Sequence, residues 1–157
     1  MRKYNFCAGP SALPTEVLEE LKEEILDWKK YGLSVMEMSH RSKEVVEIAE
    51  TAKQDFIDLL KIDSNYDVLF IQGGASLQFS MVPMNLLPSS DSLSNYLNVG
   101  QWSKKAIKEA KKYGNLNISA SSEDISFKHY PSPSDWKIDD SASYLHLVMN
   151  ETCLLYT

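Results

Sequence analysis

The chain has 157 residues, of which 43% are hydrophobic and 24% charged, and its formal net charge is −6. This composition is typical of a folded soluble protein with a hydrophobic core. The 22 acidic and 16 basic side chains argue against a nucleic-acid-binding protein, because such proteins usually carry a basic excess. No segment approaches the ~18 apolar residues of a membrane helix, and the first residues do not resemble a signal peptide. We therefore expect a cytoplasmic protein without membrane or nucleic-acid partners.

Two amphipathic helices are predicted in the first part of the chain. Between residues 16 and 30, apolar side chains recur three and four positions apart until Gly32, which is in a position typical of a helix end. A second helix is predicted over residues 43–61. The predicted buried face of the first helix consists of Leu18, Leu21, Ile25 and Trp28, and that of the second of Val45, Ala49, Ala52, Phe56 and Leu59 or Leu60.

Strands and helices alternate in the rest of the chain. Apolar runs predict strands over residues 68–71, 96–99, 117–118 and 143–148, with helices over 75–87 and 102–113 and mainly loop over 119–140. This alternation predicts an α/β fold with a parallel or mixed sheet and flanking helices. We expect one domain, which is incomplete.

Polar residues follow three of the predicted strands, where α/β sheets bind their ligands. Gly73 and Gly74 lead to Ser76 at the start of a helix, an arrangement that favours a phosphate group. Trp102 follows the second strand and could stack on a flat ring, and Thr152 follows the last one. Taken singly, these features are also typical of a strand-to-helix turn, a core tryptophan and a polar turn. Together they indicate a flat, phosphorylated cofactor.

Other chemistry is less well supported by the sequence. His40 and Arg41 lie between helices, and the arginine suits carboxylate or phosphate recognition, although it could equally pair with Glu37 or Glu44. The two cysteines, Cys7 and Cys153, are too far apart in sequence to suggest a metal site, so we expect no metal. Neither G-x-G-x-x-G nor G-x-x-x-x-G-K-[ST] occurs, which argues against an unrelated nucleotide-binding domain.

Several stretches resemble the phosphoserine aminotransferases, class V members of the fold-type-I pyridoxal-phosphate enzymes, over residues 4–152. The stretches SHRSKE and QGGASLQF carry the resemblance most specifically. The full set is NFCAGPSALP (5–14), SVMEMSHRSKE (34–44), VLFIQGGASLQFSMVPMNLL (68–87), NVGQW (98–102), AIKEAKKYG (106–114) and YLHLVMNET (144–152).

The resemblance implies a function and a set of site residues. It implies amino transfer between glutamate and 3-phosphohydroxypyruvate, which gives phosphoserine and 2-oxoglutarate. This reaction belongs to serine biosynthesis and, in many bacteria, also to pyridoxine biosynthesis. The resemblance further implies a homodimer with pyridoxal 5'-phosphate as cofactor. Ala75 and Ser76 match positions that bind the cofactor phosphate, Trp102 one that stacks on the pyridine ring, and Thr152 a threonine that contacts the cofactor. Arg41 matches a substrate-binding arginine, with His40 beside it.

The sequence also departs from the family pattern. It contains no counterpart of the AGAQKN-like motif that carries the Schiff-base lysine, so we assign no catalytic residue. Residues 1–157 would then be an amino-terminal arm and a truncated cofactor-binding large domain, without the carboxy-terminal part and the small domain. We expect this chain alone to be inactive, because the lysine is the covalent catalyst of the reaction. The alternative is an inactive short product that acts only as a dimerisation or interaction module.

Overall fold

The computed structural model describes residues 2–151. The chain divides into two compact units, Met1–Phe70 and Ile71–Thr157, which we call the amino-terminal unit and the sheet unit. The amino-terminal unit contains helices α1 (Thr15–Glu24) and α2 (Lys43–Leu60) and two short 3-10 helices, Trp28–Lys30 and Val35–Glu37.

Helix α1 is shorter than the predicted helix over residues 16–30. Lys29 and Lys30 have positive φ angles of 49° and 63°, which an α-helix cannot accommodate. The Asp27 carboxylate accepts a hydrogen bond from the Gly32 amide at 2.6 Å, so a side-chain contact closes the turn that replaces the last part of the predicted helix. Gly32 has a φ of 82°, but the prediction that it marks the end of this helix is wrong, because α1 already ends at Glu24.

Helix α2 confirms the predicted bounds but not the predicted buried face. The Ser42 hydroxyl accepts from the Val45 amide at 3.3 Å and caps its start. No residue of α2 is buried, and Phe56 and Leu59 are 47% and 80% exposed. The predicted face was wrong because periodicity identifies an apolar stripe, whereas burial also needs a neighbouring element to cover it.

The predicted strand over residues 68–71 is also wrong. These residues form no strand, and Leu69 and Phe70 are 70% and 67% exposed. A strand exists only where a neighbour accepts and donates its backbone hydrogen bonds. The sheet of the described chain contains three other strands, and none of them pairs with this run.

The sheet unit confirms an α/β fold with a parallel sheet. Its strands are β1 (Leu93–Asn98), β2 (Asn115–Ser121) and β3 (Leu145–His146). They lie in the order β2-β1-β3, and both pairings are parallel. The remaining elements are α3 (Gly74–Leu86), α4 (Gln101–Ala110) and two short 3-10 helices, Glu123–Ile125 and Pro133–Asp135.

The core of the sheet unit lies between the sheet and its helices. Tyr96 of β1 packs with three buried residues of α4, and Phe79 of α3 packs against the same cluster. The α4 residues are Ala106, Ile107 and Ala110. A hydrogen bond of 3.0 Å from the Ser80 hydroxyl to Glu109 also joins α3 to α4. The two helices that carry predicted site residues therefore share one packed layer.

Strand β1 is longer than predicted because its first part is polar and yet buried. Asn95 is 3% exposed, and its side-chain oxygen accepts from Asn117 at 2.7 Å, from Ser119 at 3.1 Å and from the Asp139 amide at 3.1 Å. Its amide group donates to the Asp139 carbonyl at 2.9 Å. Buried polar groups are tolerated when they are hydrogen-bonded in this way. Strand β2 extends beyond the two residues predicted for it because β1 pairs with it from Asn115 to Ser121.

Candidate functional site

The start of helix α3 is open to solvent and has no side-chain cap. Gly73 is the N-cap residue, and no side chain bonds to the first amides of the helix. Residues 72–76 are all exposed. The N–H groups of Gly74, Ala75 and Ser76 lack partners within the helix, as in any first helical turn. Together with the Ser76 hydroxyl and the helix dipole, they form an arrangement that can bind a phosphate.

Gly73 cannot be replaced by a larger residue without disturbing this turn. Its φ is +90°, and a Cβ placed there would lie 2.6 Å from the Leu77 Cβ. Gly74 also has a positive φ, +54°, but a Cβ there would meet no atom within 4 Å. Gly73 therefore permits the loop to pack closely on Leu77 of the helix. Gly74 lies at the open side of the turn, where no other atom is close.

Helix α4 begins differently, because its first amides are already bonded. Glu151 accepts from the Trp102 amide at 2.9 Å and from the Ser103 amide at 2.8 Å. The buried Ser103 hydroxyl accepts from the amides of Val99 and Gly100 at 2.9 and 2.8 Å. The start of α4 therefore offers no free anion-binding amides at these positions. Of the two helix starts, that of α3 is the one suited to a phosphate.

Trp102 lies in the first turn of α4 and is partly buried. The Lys105 ammonium lies 4.1 Å from the centre of its ring, a cation–π contact that fixes the side chain of Lys105 on the indole. Thr152, the remaining predicted cofactor-contacting residue, lies outside the described residues. The sheet unit thus places Ala75, Ser76 and Trp102 in the first turns of two helices that pack together.

Arg41 and His40 belong to the amino-terminal unit and are exposed. The alternative of a surface ion pair is not observed within residues 2–151, where neither Glu37 nor Glu44 pairs with the arginine. Glu37 instead accepts from the Ser34 amide at 3.0 Å, and Glu44 from the Tyr31 hydroxyl at 3.2 Å. A hydrogen bond from its own backbone N–H is the main cause of a lowered pKa at Glu44. The substrate-binding role of Arg41 and His40 stays a prediction.

The core behind the candidate site contains an imidazole with an unsatisfied atom. His146 of β3 stacks on Tyr96 with ring centres 4.7 Å apart, and its buried Nδ1 has no hydrogen-bond partner. Burial lowers the pKa of His146. Burial also raises the pKa of Tyr96, whose hydroxyl bonds to that of Tyr144 at 2.9 Å. Both groups are therefore neutral near pH 7.

Sequence reasoning missed three residues that shape the start of α4: Gly100, Ser103 and Glu151. Ser103 could have been found, because a hydroxyl three residues after a helix N-cap often bonds back to it. Glu151 gives no local signal, since 49 residues separate it from Trp102. Within residues 2–151, no group of three or more His, Cys, Asp or Glu side chains could hold a metal ion. In the same part of the chain, no helix is long and apolar enough to span a membrane.

Comparison with known proteins identifies the family. The profile of the class-V aminotransferases matches residues 3–154. The chain belongs to the class-V aminotransferases. Within this family it is 52% identical to the phosphoserine aminotransferase of Pseudomonas entomophila strain L48, over 96% of its length, and 52% identical to that of Acinetobacter baylyi, over 97%. In both cases it spans 42% of the length of the relative.

Solved structures of this class-V group also match the fold. A phosphoserine aminotransferase studied for radiation damage of its Schiff base has a TM-score of 0.84 and 44% identity, with 97% of this chain and 42% of that one covered. The enzyme from Bacillus circulans subsp. alkalophilus has a TM-score of 0.79 and 45% identity. The pyridoxal-phosphate-bound enzyme from Trichomonas vaginalis has a TM-score of 0.76 and 36% identity. In both of these pairs, 92% of this chain and 40% of the other are covered.

Proposed function

We propose that the sheet unit binds pyridoxal 5'-phosphate, with the phosphate at the start of α3 and the pyridine ring on Trp102. The observation that carries the proposal is the uncapped, exposed first turn of α3 behind Gly73. Exposed amides and the Ser76 hydroxyl fit a phosphate dianion. The partly buried indole at the start of the neighbouring helix fits a flat aromatic ring. Thr152 is proposed as a further contact on the strength of the family resemblance alone.

The activity follows as a second part of the proposal. The named relatives are phosphoserine aminotransferases, so we assign the chain by family to amino transfer between phosphoserine and 2-oxoglutarate, or glutamate and 3-phosphohydroxypyruvate in the reverse direction. Residues 1–157 alone are expected to be inactive. When bound, the cofactor supplies a reactive carbonyl and an electron-withdrawing ring. This chain would supply groups that bind the cofactor and orient the substrate. Arg41 would hold a substrate carboxylate or phosphate, and His40 would lie beside it. A homodimer is proposed on the same resemblance, and a cytoplasmic location is proposed from the sequence.

A titration followed by backbone amide NMR tests the phosphate site directly. Inorganic phosphate and pyridoxal 5'-phosphate should both shift the amides of Gly74, Ala75 and Ser76. Replacement Ser76→Ala should weaken both ligands roughly tenfold, because it removes one hydrogen bond to a charged group.

The start of α4 is the matched control within the same chain. Inorganic phosphate should leave the Trp102 and Ser103 amides unchanged, since Glu151 already occupies them. Shifts confined to the lysines of α4, with none at residues 74–76, would contradict the proposal and indicate binding by surface charge only.

A second candidate function is favoured by one observation. Several large apolar side chains of the amino-terminal unit are exposed, including Leu59 at 80%, Leu69 at 70% and Phe70 at 67%. Where such side chains form a contiguous patch, they mark an association surface. In this candidate function the chain acts as a dimerisation or interaction module without catalysis.

A further inference from the structure

The carboxylate of Glu151 connects two distant parts of the sheet unit. Its Oε2 accepts from the Trp102 amide at 2.9 Å and its Oε1 from the Ser103 amide at 2.8 Å. Both amides lie in the first turn of α4, where free N–H groups and the helix dipole favour a negative charge. Two hydrogen bonds to one carboxylate also restrict its orientation more than a single bond does. The backbone of Trp102 is thereby tied to the segment that follows β3.

The sequence at residue 100 is adapted to this contact. A Cβ on Gly100 would lie 2.5 Å from the Glu151 Cδ and from its Oε2. The φ of Gly100 is 164°, an extended backbone that any residue can adopt. The need for glycine is therefore steric, and its cause is the side chain of Glu151. Gly100 and Glu151 therefore act together at the start of α4, because the Glu151 carboxylate can reach the helix only where residue 100 has no side chain.

The contact between Glu151 and the first turn of α4 is not needed to begin the helix. The Ser103 hydroxyl accepts from the amides of Val99 and Gly100 and donates to the Gly100 carbonyl at 2.9 Å. That local cap is fully buried and joins residues of the same turn. Glu151 adds a long-range constraint to a helix start that Ser103 already caps. The two donors are the amides of Trp102 and Ser103, and of these residues Trp102 is the one to which the proposed function assigns a ligand contact.

We propose that Glu151 is a positioning residue for the cofactor ring, acting through the backbone of Trp102. The proposal rests on the function assigned above, in which the indole of Trp102 stacks on the pyridine. A stacking partner must be held at a defined distance and tilt, and a displacement of about 1 Å can weaken the productive arrangement strongly. Glu151 supplies that precision by holding the first turn of α4, and it does not contact the phosphate.

The test separates ring binding from phosphate binding. We would label the 157-residue chain with 5-fluorotryptophan and assign its three signals by replacing each tryptophan with phenylalanine. Pyridoxal 5'-phosphate is titrated while the Trp102 fluorine signal is observed, and inorganic phosphate is titrated while the amides of Ala75 and Ser76 are observed. In Glu151→Gln, the affinity for pyridoxal 5'-phosphate should fall about fivefold or more, whereas that for inorganic phosphate should stay within about twofold.

A second set of variants guards against simple unfolding. Gly100→Ala should reproduce the loss of ring affinity in the parent chain, because the new Cβ displaces Glu151. The same change made in Glu151→Ala should have almost no further effect, because the obstacle has been removed. This non-additivity is expected only if the two residues act as one unit. Additive losses in the double variant would overturn the inference.

Two other outcomes have distinct meanings. If Glu151→Gln weakens inorganic phosphate and pyridoxal 5'-phosphate equally, Glu151 serves only general stability and the positioning role is wrong. If the parent chain shows no shift at Ala75 or Ser76 with either ligand, the proposed function fails, and the positioning role fails with it.

Discussion

The burial of the His146 side chain makes the stability of the protein depend on pH. Its imidazole is stacked on Tyr96 and is edge-on to Phe79, and its Nδ1 has no partner. A proton added there would create a charge in an apolar environment without a compensating acceptor. The lowered pKa of His146 has this cause.

Replacement His146→Gln should therefore change the pH dependence of unfolding. The unfolded chain takes up a proton near pH 6.5, whereas the folded chain resists it. The free energy of unfolding should thus be unaffected by this group above pH 6.5 and should decrease as the pH falls below it, by at most about 1.4 kcal/mol per pH unit. Urea unfolding at pH 8, 7, 6 and 5 measures the slope.

The exposed His129 provides the control for that experiment. His129→Gln replaces a histidine at an exposed position and controls for the substitution itself, while His146→Gln should lose part of the slope. Equal slopes in all three proteins would contradict the assignment. Carboxylates with lowered pKa, such as Glu109 and Glu123, affect stability only at lower pH and do so in all three.

Among single residues, sequence reasoning singled out those with a strong local or family signal, and their cofactor-binding role stays a prediction. Ser76 and Trp102 were predicted from glycine-containing turns after apolar runs, and the structure places both in first helical turns. Asn95 and Glu151 were not predicted, because their partners lie more than 20 residues away. A polar side chain has no sequence pattern that reveals whether a distant group will bury and satisfy it.

At the scale of elements, the two glycines before α3 allow a sharp comparison. Gly73→Ala introduces both an unfavourable φ and a contact of 2.6 Å with Leu77, so we expect the free energy of unfolding to fall by about 3 kcal/mol. Gly74→Ala introduces only the unfavourable φ and should cost about 1 kcal/mol. Urea unfolding followed by circular dichroism measures both. Equal losses would show that the Leu77 contact has no energetic role.

Helix positions were more predictable than strand positions for a physical reason. A helix satisfies its backbone locally, so the spacing of its apolar residues predicted α2 almost to the residue. A strand makes its backbone hydrogen bonds with neighbouring strands, which the local sequence does not reveal. The apolar run at 68–71 therefore looked like a strand and is none, whereas the polar residues Ser94 and Asn95 lie in the middle of a sheet.

At the scale of the whole molecule, the first prediction concerns activity. The purified 157-residue chain should show no turnover of glutamate with 3-phosphohydroxypyruvate, because on the family resemblance we expect the Schiff-base lysine to have no counterpart among these residues. A coupled assay for 2-oxoglutarate measures this, with preparations from a host that lacks its own enzyme as the control. Turnover above the background of such a host would contradict the prediction.

The second whole-molecule prediction concerns association. The exposed apolar side chains of the amino-terminal unit should cause the chain to self-associate as its concentration rises. Leu59→Lys should shift the equilibrium toward the monomer, measured by light scattering after size-exclusion chromatography. Gln54→Lys changes the charge equally at an exposed position of the same helix and should have little effect. An equal response of both variants would attribute the change to net charge alone.

The hydrogen bonds of Asn95 also have a consequence for how the sheet unit forms during synthesis. Its partners Asn117, Ser119 and Asp139 follow it by 22, 24 and 44 residues, and the pairing with β3 comes later still. On the ribosome, where roughly 5–20 residues are added each second, β1 must wait several seconds for its last neighbour. Until then the Asn95 carboxamide, which is buried in the final fold, is hydrated, and one edge of β1 is open to pairing with another chain.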